Sequence, residues 1–130
     1  MNYNFDNNIP IYLQLVSLIK NDIIKGALSP GEKLPSIRDL AITYKVNPNT
    51  VSKALSELEN ISLIYTERTN GKYVSSDISL INKYKEEYAT SLTEEYINKM
   101  INLGYNKEEI NKYIMKKGEK YGTIKMQKSY

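Results

Sequence analysis

Apolar residues recur at helical spacing in three short stretches near the amino end of the chain, each with its own start and stop signals. Tyr12, Val16, Ile19 and Ile23 follow Pro10, whose missing N–H suits a first helical position, and Gly26 ends the run as a left-handed cap would. Ser29-Pro30-Gly31 then reads as a turn and Leu34-Pro35 as a short extended piece, because a residue before proline is pushed out of the helical region. Ser36 opens a second helix with Asp39 three residues on, a variant capping box, and Ile37, Leu40, Ala41 and Tyr44 make its apolar stripe. Asn47 is the N-cap and Pro48 the first residue of a third helix, 48–59, with Val51, Ala54, Leu55 and Leu58 at i, i+3, i+4 and i+7. The gap between the second and third helices is so short that the two stripes must pack against each other, which predicts a helix-turn-helix.

Two strand-like runs follow, Ile64–Arg68 and Lys72–Ser75, separated by Thr69-Asn70-Gly71. Asn-Gly is a strong hairpin signal because both residues tolerate the positive φ of a type I′ turn, so a wing over 65–75 is expected. From Asp77 the pattern becomes one long helix, with Ile81, Tyr84, Tyr88, Leu92, Tyr96, Met100 and Leu103 recurring every three or four residues until Gly104. Asn106 with Glu109 caps a last helix, in which Tyr105 can staple over Ile110; Tyr113 and Ile114 complete its stripe and Gly118 closes it. The expected fold is mostly α with a small β-hairpin. Its parts are a winged helix-turn-helix over 1–76, a two-helix dimerisation domain over 77–118, and a basic flexible tail over 119–130.

Composition narrows the chemistry. The 130 residues hold no cysteine and no histidine, which removes disulfides, the usual transition-metal ligands and the usual general base near neutral pH. Adjacent carboxylates such as Glu86-Glu87, Glu94-Glu95 and Glu108-Glu109 point about 100° apart on a helix and cannot share a site, so no catalytic residue, metal or cofactor is expected. No apolar run approaches the roughly 18 to 20 residues that span a bilayer, and Met1 to Asp6 lacks a signal-peptide pattern, so a cytoplasmic protein without membrane contact is expected. The net charge of +3 splits into +1 over residues 1–75 and +2 over 76–130, so bulk charge identifies no partner and any electrostatic footprint depends on where side chains point.

With the third helix's stripe turned inward, Asn49, Ser52, Lys53 and Ser56 face outward, side chains that suit the major groove. Asn47 and Thr50 stand at that helix's amino end, where phosphate binds well. Ser36 and Arg38 in the first turn of the second helix, and Arg68, Asn70, Gly71 and Lys72 in the wing, complete the candidate contacts. Each feature also has a plainer reading: a solvated helix face, a cap, an ordinary hairpin. The order of the parts is what favours double-stranded DNA over a winged helix used only for protein contact.

Residues 10–74 resemble the GntR-type winged helix. The likeness rests on Pro10-Ile11-Tyr12-Leu13-Gln14, on Gly31-Glu32-Lys33-Leu34-Pro35-Ser36-Ile37-Arg38-Asp39-Leu40-Ala41, and on Val46-Asn47-Pro48-Asn49-Thr50-Val51-Ser52-Lys53-Ala54-Leu55. Asn-Pro-Asn-Thr-Val and the short helical tail are similar to the YtrA-like subfamily. The resemblance implies DNA contacts at Ser36, Arg38, Asn49, Thr50, Ser52 and Gly71, a homodimer on a pseudo-palindromic operator, and repression of neighbouring transporter genes. Two departures stand out: Asn60-Ile61-Ser62-Leu63-Ile64 lacks the glycine this family often carries before the wing, and Pro48 stands where some members read guanine with arginine. The stripe of Ile81, Tyr84, Tyr88, Leu92, Tyr96 and Met100 is longer than one winged helix can cover, so a second copy is its expected partner, with part of it packing back on helix one. Two helices are too few to enclose a sizeable pocket, which leaves the dimer interface as the place for a small-molecule effector of unidentified chemistry.

Overall fold

The computed structural model describes residues 3–125. Its elements run α1 (Ile11–Ile24), α2 (Ile37–Tyr44), α3 (Pro48–Asn60), β1 (Ile64–Glu67), β2 (Gly71–Val74), α4 (Ile78–Asn102) and α5 (Lys107–Lys125). The chain divides into two compact units, Met1–Glu86 and Glu87–Tyr130, so α4 begins in the first and ends in the second. The first unit thus extends about two and a half turns of helix past the 76/77 boundary expected from the sequence.

In the first unit α1 and α2 both pack on α3. Leu15, Ile19 and Ile23 of α1, Leu40, Ala41 and Tyr44 of α2, and Val51, Ala54, Leu55 and Leu58 of α3 form one buried cluster, closed below by Leu34, Leu63, Ile64, Val74 and Ile81. The α2 and α3 stripes match the expected ones, with Ile37 only partly buried. In α1 the centre is Leu15, while Tyr12 and Val16 pack at its margin.

Local signals explain the boundaries. Pro10 is the N-cap of α1, and Gly26 at φ +83° follows its end. The Gln14 side chain ties down the chain before α1: it accepts the Asp6 N–H (2.8 Å) and donates to the carbonyls of Asp6 (2.7 Å) and Ile9 (2.8 Å). Ser36 Oγ accepts the Asp39 N–H at 3.0 Å, but among the described residues the return bond from Asp39 is not made. Aspartate is one methylene shorter than the glutamate a full capping box uses. At α5 both halves form: Glu109 Oε1 accepts the Asn106 N–H (3.0 Å) and Asn106 Oδ1 accepts the Glu109 N–H (2.9 Å).

The wing is an antiparallel pair, Ile64↔Val74, Tyr65↔Tyr73, Thr66↔Lys72 and Glu67↔Gly71. Residues 32–34 add a third edge to β2, with Leu34 N–H bonded to Lys72 O and Val74 N–H to Glu32 O, both 2.8 Å. The turn differs from the expected type I′. Asn70 has no positive φ; its N–H donates to Glu67 O at 3.3 Å, and Gly71 alone takes φ +106°. The link between α3 and the wing is built without glycine: Ser62 adopts φ +64°, its N–H bonds Glu59 O (2.9 Å), and Leu63 N–H bonds Leu58 O (3.0 Å). These paired bonds form a Schellman motif, in which the left-handed residue is ordinarily glycine. Ser62→Gly is therefore expected to stabilise the fold by about 0.5–1 kcal/mol, because relief of left-handed strain outweighs the added freedom of the unfolded chain. A higher urea midpoint at unchanged slope is the measurement; an unchanged or lower midpoint would show that Ser62 is unstrained.

In the second unit Gly104 at φ +96° ends α4, and Ile110 is its buried apolar residue. Gly118 does not close α5: the helix runs through it to Lys125, so residues 119–125 of the expected flexible tail are helical, and 126–130 lie outside the described residues. An exposed glycine costs a helix about 1 kcal/mol against alanine, which good helix formers on either side offset. No helix among the described residues is long and apolar enough to cross a membrane.

Candidate nucleic-acid interface

The chemistry of the first unit follows from the division of α3 into two faces. Val51, Ala54, Leu55 and Leu58 are no more than 1% exposed, whereas Asn49, Ser52, Lys53 and Ser56 all reach solvent. The outer face is thus fixed by the seating of the inner one, since rotating the helix would drag apolar side chains into water. At its amino end Asn47 Oδ1 accepts the Asn49 N–H at 2.7 Å, while the N–H groups of Thr50 and Val51 bond Asn47 O at 2.9 and 3.2 Å. Pro48 has none. The backbone donors of this helix start are already used, so phosphate here must be met by the Thr50 hydroxyl and the Asn47 amide group rather than by main-chain N–H groups.

Ser36 and Arg38 lie across a cleft from the wing tip. This cleft, about 700 Å³, is lined by Lys33, Pro35, Ser36, Arg38, Asn70 and Gly71 among others. It brings together residues from α2 and the wing that are more than 30 positions apart, and places them beside α3 through Leu55. Arg38 and Arg68 are exposed and make no ion pair among the described residues, so both guanidinium groups are available to an anion. Gly71 takes φ +106°, so a residue with a Cβ there would strain the turn, although the Cβ itself would only touch Lys33 Cε at 3.4 Å.

Two lysines are not free. Lys53 Nζ sits 4.1 Å from the centroid of the Tyr12 ring, a cation–π contact that draws its charge toward α1. Lys72, expected from sequence to meet phosphate, is partly shielded and donates to Glu59 Oε1 and, at 2.9 Å, to Thr66 Oγ1; the Thr66 hydroxyl donates to the same Glu59 oxygen at 2.7 Å. Hydrogen bonds from Lys72 and then Thr66 hold the Glu59 carboxyl below its ordinary pKa range. The charge of Lys72 is balanced by Glu59 within the protein, so its expected contact with phosphate would be shared with that pair.

The expected dimer stripe also divides. Ile81 is 6% exposed within the first unit's core, and Tyr84 packs against that core, donating its hydroxyl to Ile61 O (3.2 Å) beneath Lys20 Nζ, 4.5 Å from its ring. Ile81 is thus buried within the unit and Tyr84 partly so, in keeping with the expectation that part of the stripe packs back on the same chain. Tyr88, Leu92 and Tyr96 remain exposed at 42%, 48% and 39%, with Met100 half-buried.

A helix-turn-helix whose second helix shows a short polar face, followed by a hairpin carrying cations, defines a winged helix-turn-helix transcription regulator. The family model of bacterial regulatory proteins of the gntR family matches residues 11–74. The uncharacterized HTH-type transcriptional regulator YhcF of Bacillus subtilis (strain 168) is 34% identical over 85% of this chain and 91% of its own length. The HTH-type transcriptional repressor YtrA of the same organism is 46% identical over 55% of each chain. Among solved structures, a GntR family transcriptional regulator from Listeria monocytogenes superimposes with TM-score 0.79 and 42% identity over 86% of this chain and 98% of that one. The DNA-binding domain of AraR, solved in complex with operator ORR3, aligns at TM-score 0.50 and 27% identity over 58% of this chain and 88% of that one. The chain belongs to the GntR family of transcription regulators, a family of DNA-binding proteins rather than enzymes.

Proposed function

We propose that the protein is a cytoplasmic repressor that binds a pseudo-palindromic operator as a homodimer, with α3 in the major groove and the wing near the minor groove. The observation that carries this reading is the split of α3: its apolar side is sealed under α1 and α2, and its outer side offers Asn49, Ser52 and Ser56 with Thr50 at the helix start. Ser36, Arg38, Asn70 and Gly71 line the cleft that would straddle the sugar-phosphate backbone, and Arg68 is exposed in the wing turn. Asn47 serves as the cap and Lys53 as a cation held near Tyr12, both at the edge of the contact. Repression is supported by the name of the relative YtrA and by simple occlusion, since a dimer seated on promoter DNA excludes polymerase.

The homodimer rests on Tyr88, Leu92, Tyr96 and Met100 of the second unit, an apolar face of α4 that is exposed or half-buried among the described residues. One module makes few phosphate contacts; two on a two-fold axis reading paired half-sites bind usefully at physiological salt. A small effector would lodge where two copies meet, since two helices are too few to enclose a sizeable pocket within one subunit.

Selection from a random duplex pool tests the whole reading: it should return a sequence with two related half-sites one or more helical turns apart. Recovery of no duplex at low salt would leave a protein-contact module as the function. Asn49→Ala leaves the Asn47 cap bond intact, since that bond uses the residue 49 backbone N–H. It is expected to lose about 1–3 kcal/mol at one base position of each half-site. Binding to a panel of point-substituted duplexes checks this, and equal losses on the selected and a scrambled duplex would refute base reading by Asn49.

A further inference from the structure

Glu59 is an acidic group on what is otherwise the groove-facing line of α3. It follows Ser52 and Ser56 at i+7 and i+3, so it continues their row toward the carboxyl end of the helix. A lone carboxylate there would repel phosphate. It is instead engaged by one residue from each strand of the wing, Thr66 of β1 and Lys72 of β2, which are cross-strand partners and also bond each other. The side chains of Lys72 and Glu59 are 26% and 33% exposed, so the pair is shielded enough to hold a geometry.

The wing needs such a tie. Its base is anchored by buried Ile64 and Val74, but from Thr66 upward β1 is exposed, and Arg68, Thr69 and Asn70 of the turn all lie in solvent. Residues 32–34 hold β2 on its outer side, but no strand flanks β1 among the described residues, and the hairpin joins α3 through a link that contains no glycine and is bent at Ser62. The Glu59–Thr66–Lys72 cluster therefore ties the unflanked β1 side of the wing to α3 above the base.

We propose that Glu59 is a positioning residue for DNA recognition: by clasping Thr66 and Lys72 it fixes the wing tip at the angle where Arg68, Asn70 and Gly71 engage a duplex while α3 lies in the groove. This rests on the DNA-binding reading above. It makes a prediction opposite in sign to plain electrostatics, because removing a negative charge from a DNA-facing surface should otherwise strengthen binding to every duplex.

The test uses the full chain with a duplex selected from a random pool by the wild-type protein and a scrambled duplex of the same length. Glu59→Ala is expected to weaken binding to the selected duplex about tenfold while binding to the scrambled duplex stays level or tightens. Glu59→Gln keeps an oxygen acceptor in the same place and should restore affinity to within about threefold of wild type. Tighter or unchanged binding of Glu59→Ala to the selected duplex would overturn the proposal, as would an equal loss in Glu59→Gln and Glu59→Ala. Should Glu59→Ala unfold at the assay temperature, Thr66→Val removes the hydroxyl from the wing side without touching α3, and full affinity in that variant overturns the proposal equally. A wild-type protein that selects no duplex would instead remove the DNA reading itself.

Discussion

Leu92→Glu is expected to convert the protein to a monomer and to cut its affinity for a two-half-site duplex about a hundredfold or more, while a single half-site is bound as before. Tyr88, Leu92 and Tyr96 stand at i, i+4 and i+8 on α4, so they share one face, and all three are exposed in the single chain. A carboxylate in the middle of that face could enter a dimer seam only by shedding its water, a cost several times what one leucine contributes by burial. The substitution lies in the second unit, so the thermal unfolding of the first unit should not change. Sedimentation equilibrium measures the first effect, and titration of full and half operators the second. A wild-type protein that is monomeric at operator-binding concentrations would refute the dimer, and a monomeric variant with undiminished affinity would refute its role in recognition.

The same stripe shows how far periodicity reaches. It places Ile81, Tyr84, Tyr88, Leu92 and Tyr96 on one face, yet a face has no label for its partner: Ile81 and Tyr84 go into the first unit and the rest stay exposed. The stripes of α2 and α3 were legible because each is short, bounded by a capping residue, and has little choice of what to cover. In α1 the stripe Tyr12, Val16, Ile19 and Ile23 includes two of the three buried residues, but the apolar band is broad enough that it omits Leu15, which is fully buried. Asn70-Gly71 marked the hairpin but not its turn, since pairing Glu67 with Gly71 is a matter of register, which two residues cannot specify. Gly118 looked like a stop because glycine often is one, but a helix ends there only when the chain also turns left-handed.

At the candidate interface the outward residues of α3 were legible as soon as its inward ones were, because one helix has only one opposite face. The state of those residues was not. Glu59 and Lys72 are 13 positions apart, and only the folded hairpin brings them together; the sequence shows a cation in the wing and gives no sign of the acid that balances it. Tyr12 and Lys53 meet in the same way, across two helices. The missing glycine before the wing was a sign of how the two are joined, and Ser62 in that stretch is left-handed.

Leu58→Ala is expected to destabilise the first unit by about 2–5 kcal/mol, since Leu58 is fully buried and the truncation leaves a cavity that α1, α3 and the wing base can only partly close. A small domain has roughly 5–15 kcal/mol in all, so the loss takes much of its reserve. Ser52→Ala, on the outer face of the same helix, should change stability by no more than about 0.5 kcal/mol, and urea unfolding separates the two. A loss at Leu58 below about 1 kcal/mol would mean that the inner stripe does not seat the helix. Affinity gives an independent check, because apparent binding scales with the folded fraction. Near its melting temperature Leu58→Ala should therefore lose affinity equally for selected and scrambled duplexes, whereas Asn49→Ala loses it at one base position with the protein fully folded. The two faces of α3 thus predict losses of different kinds, a general one from the buried side and a sequence-specific one from the exposed side.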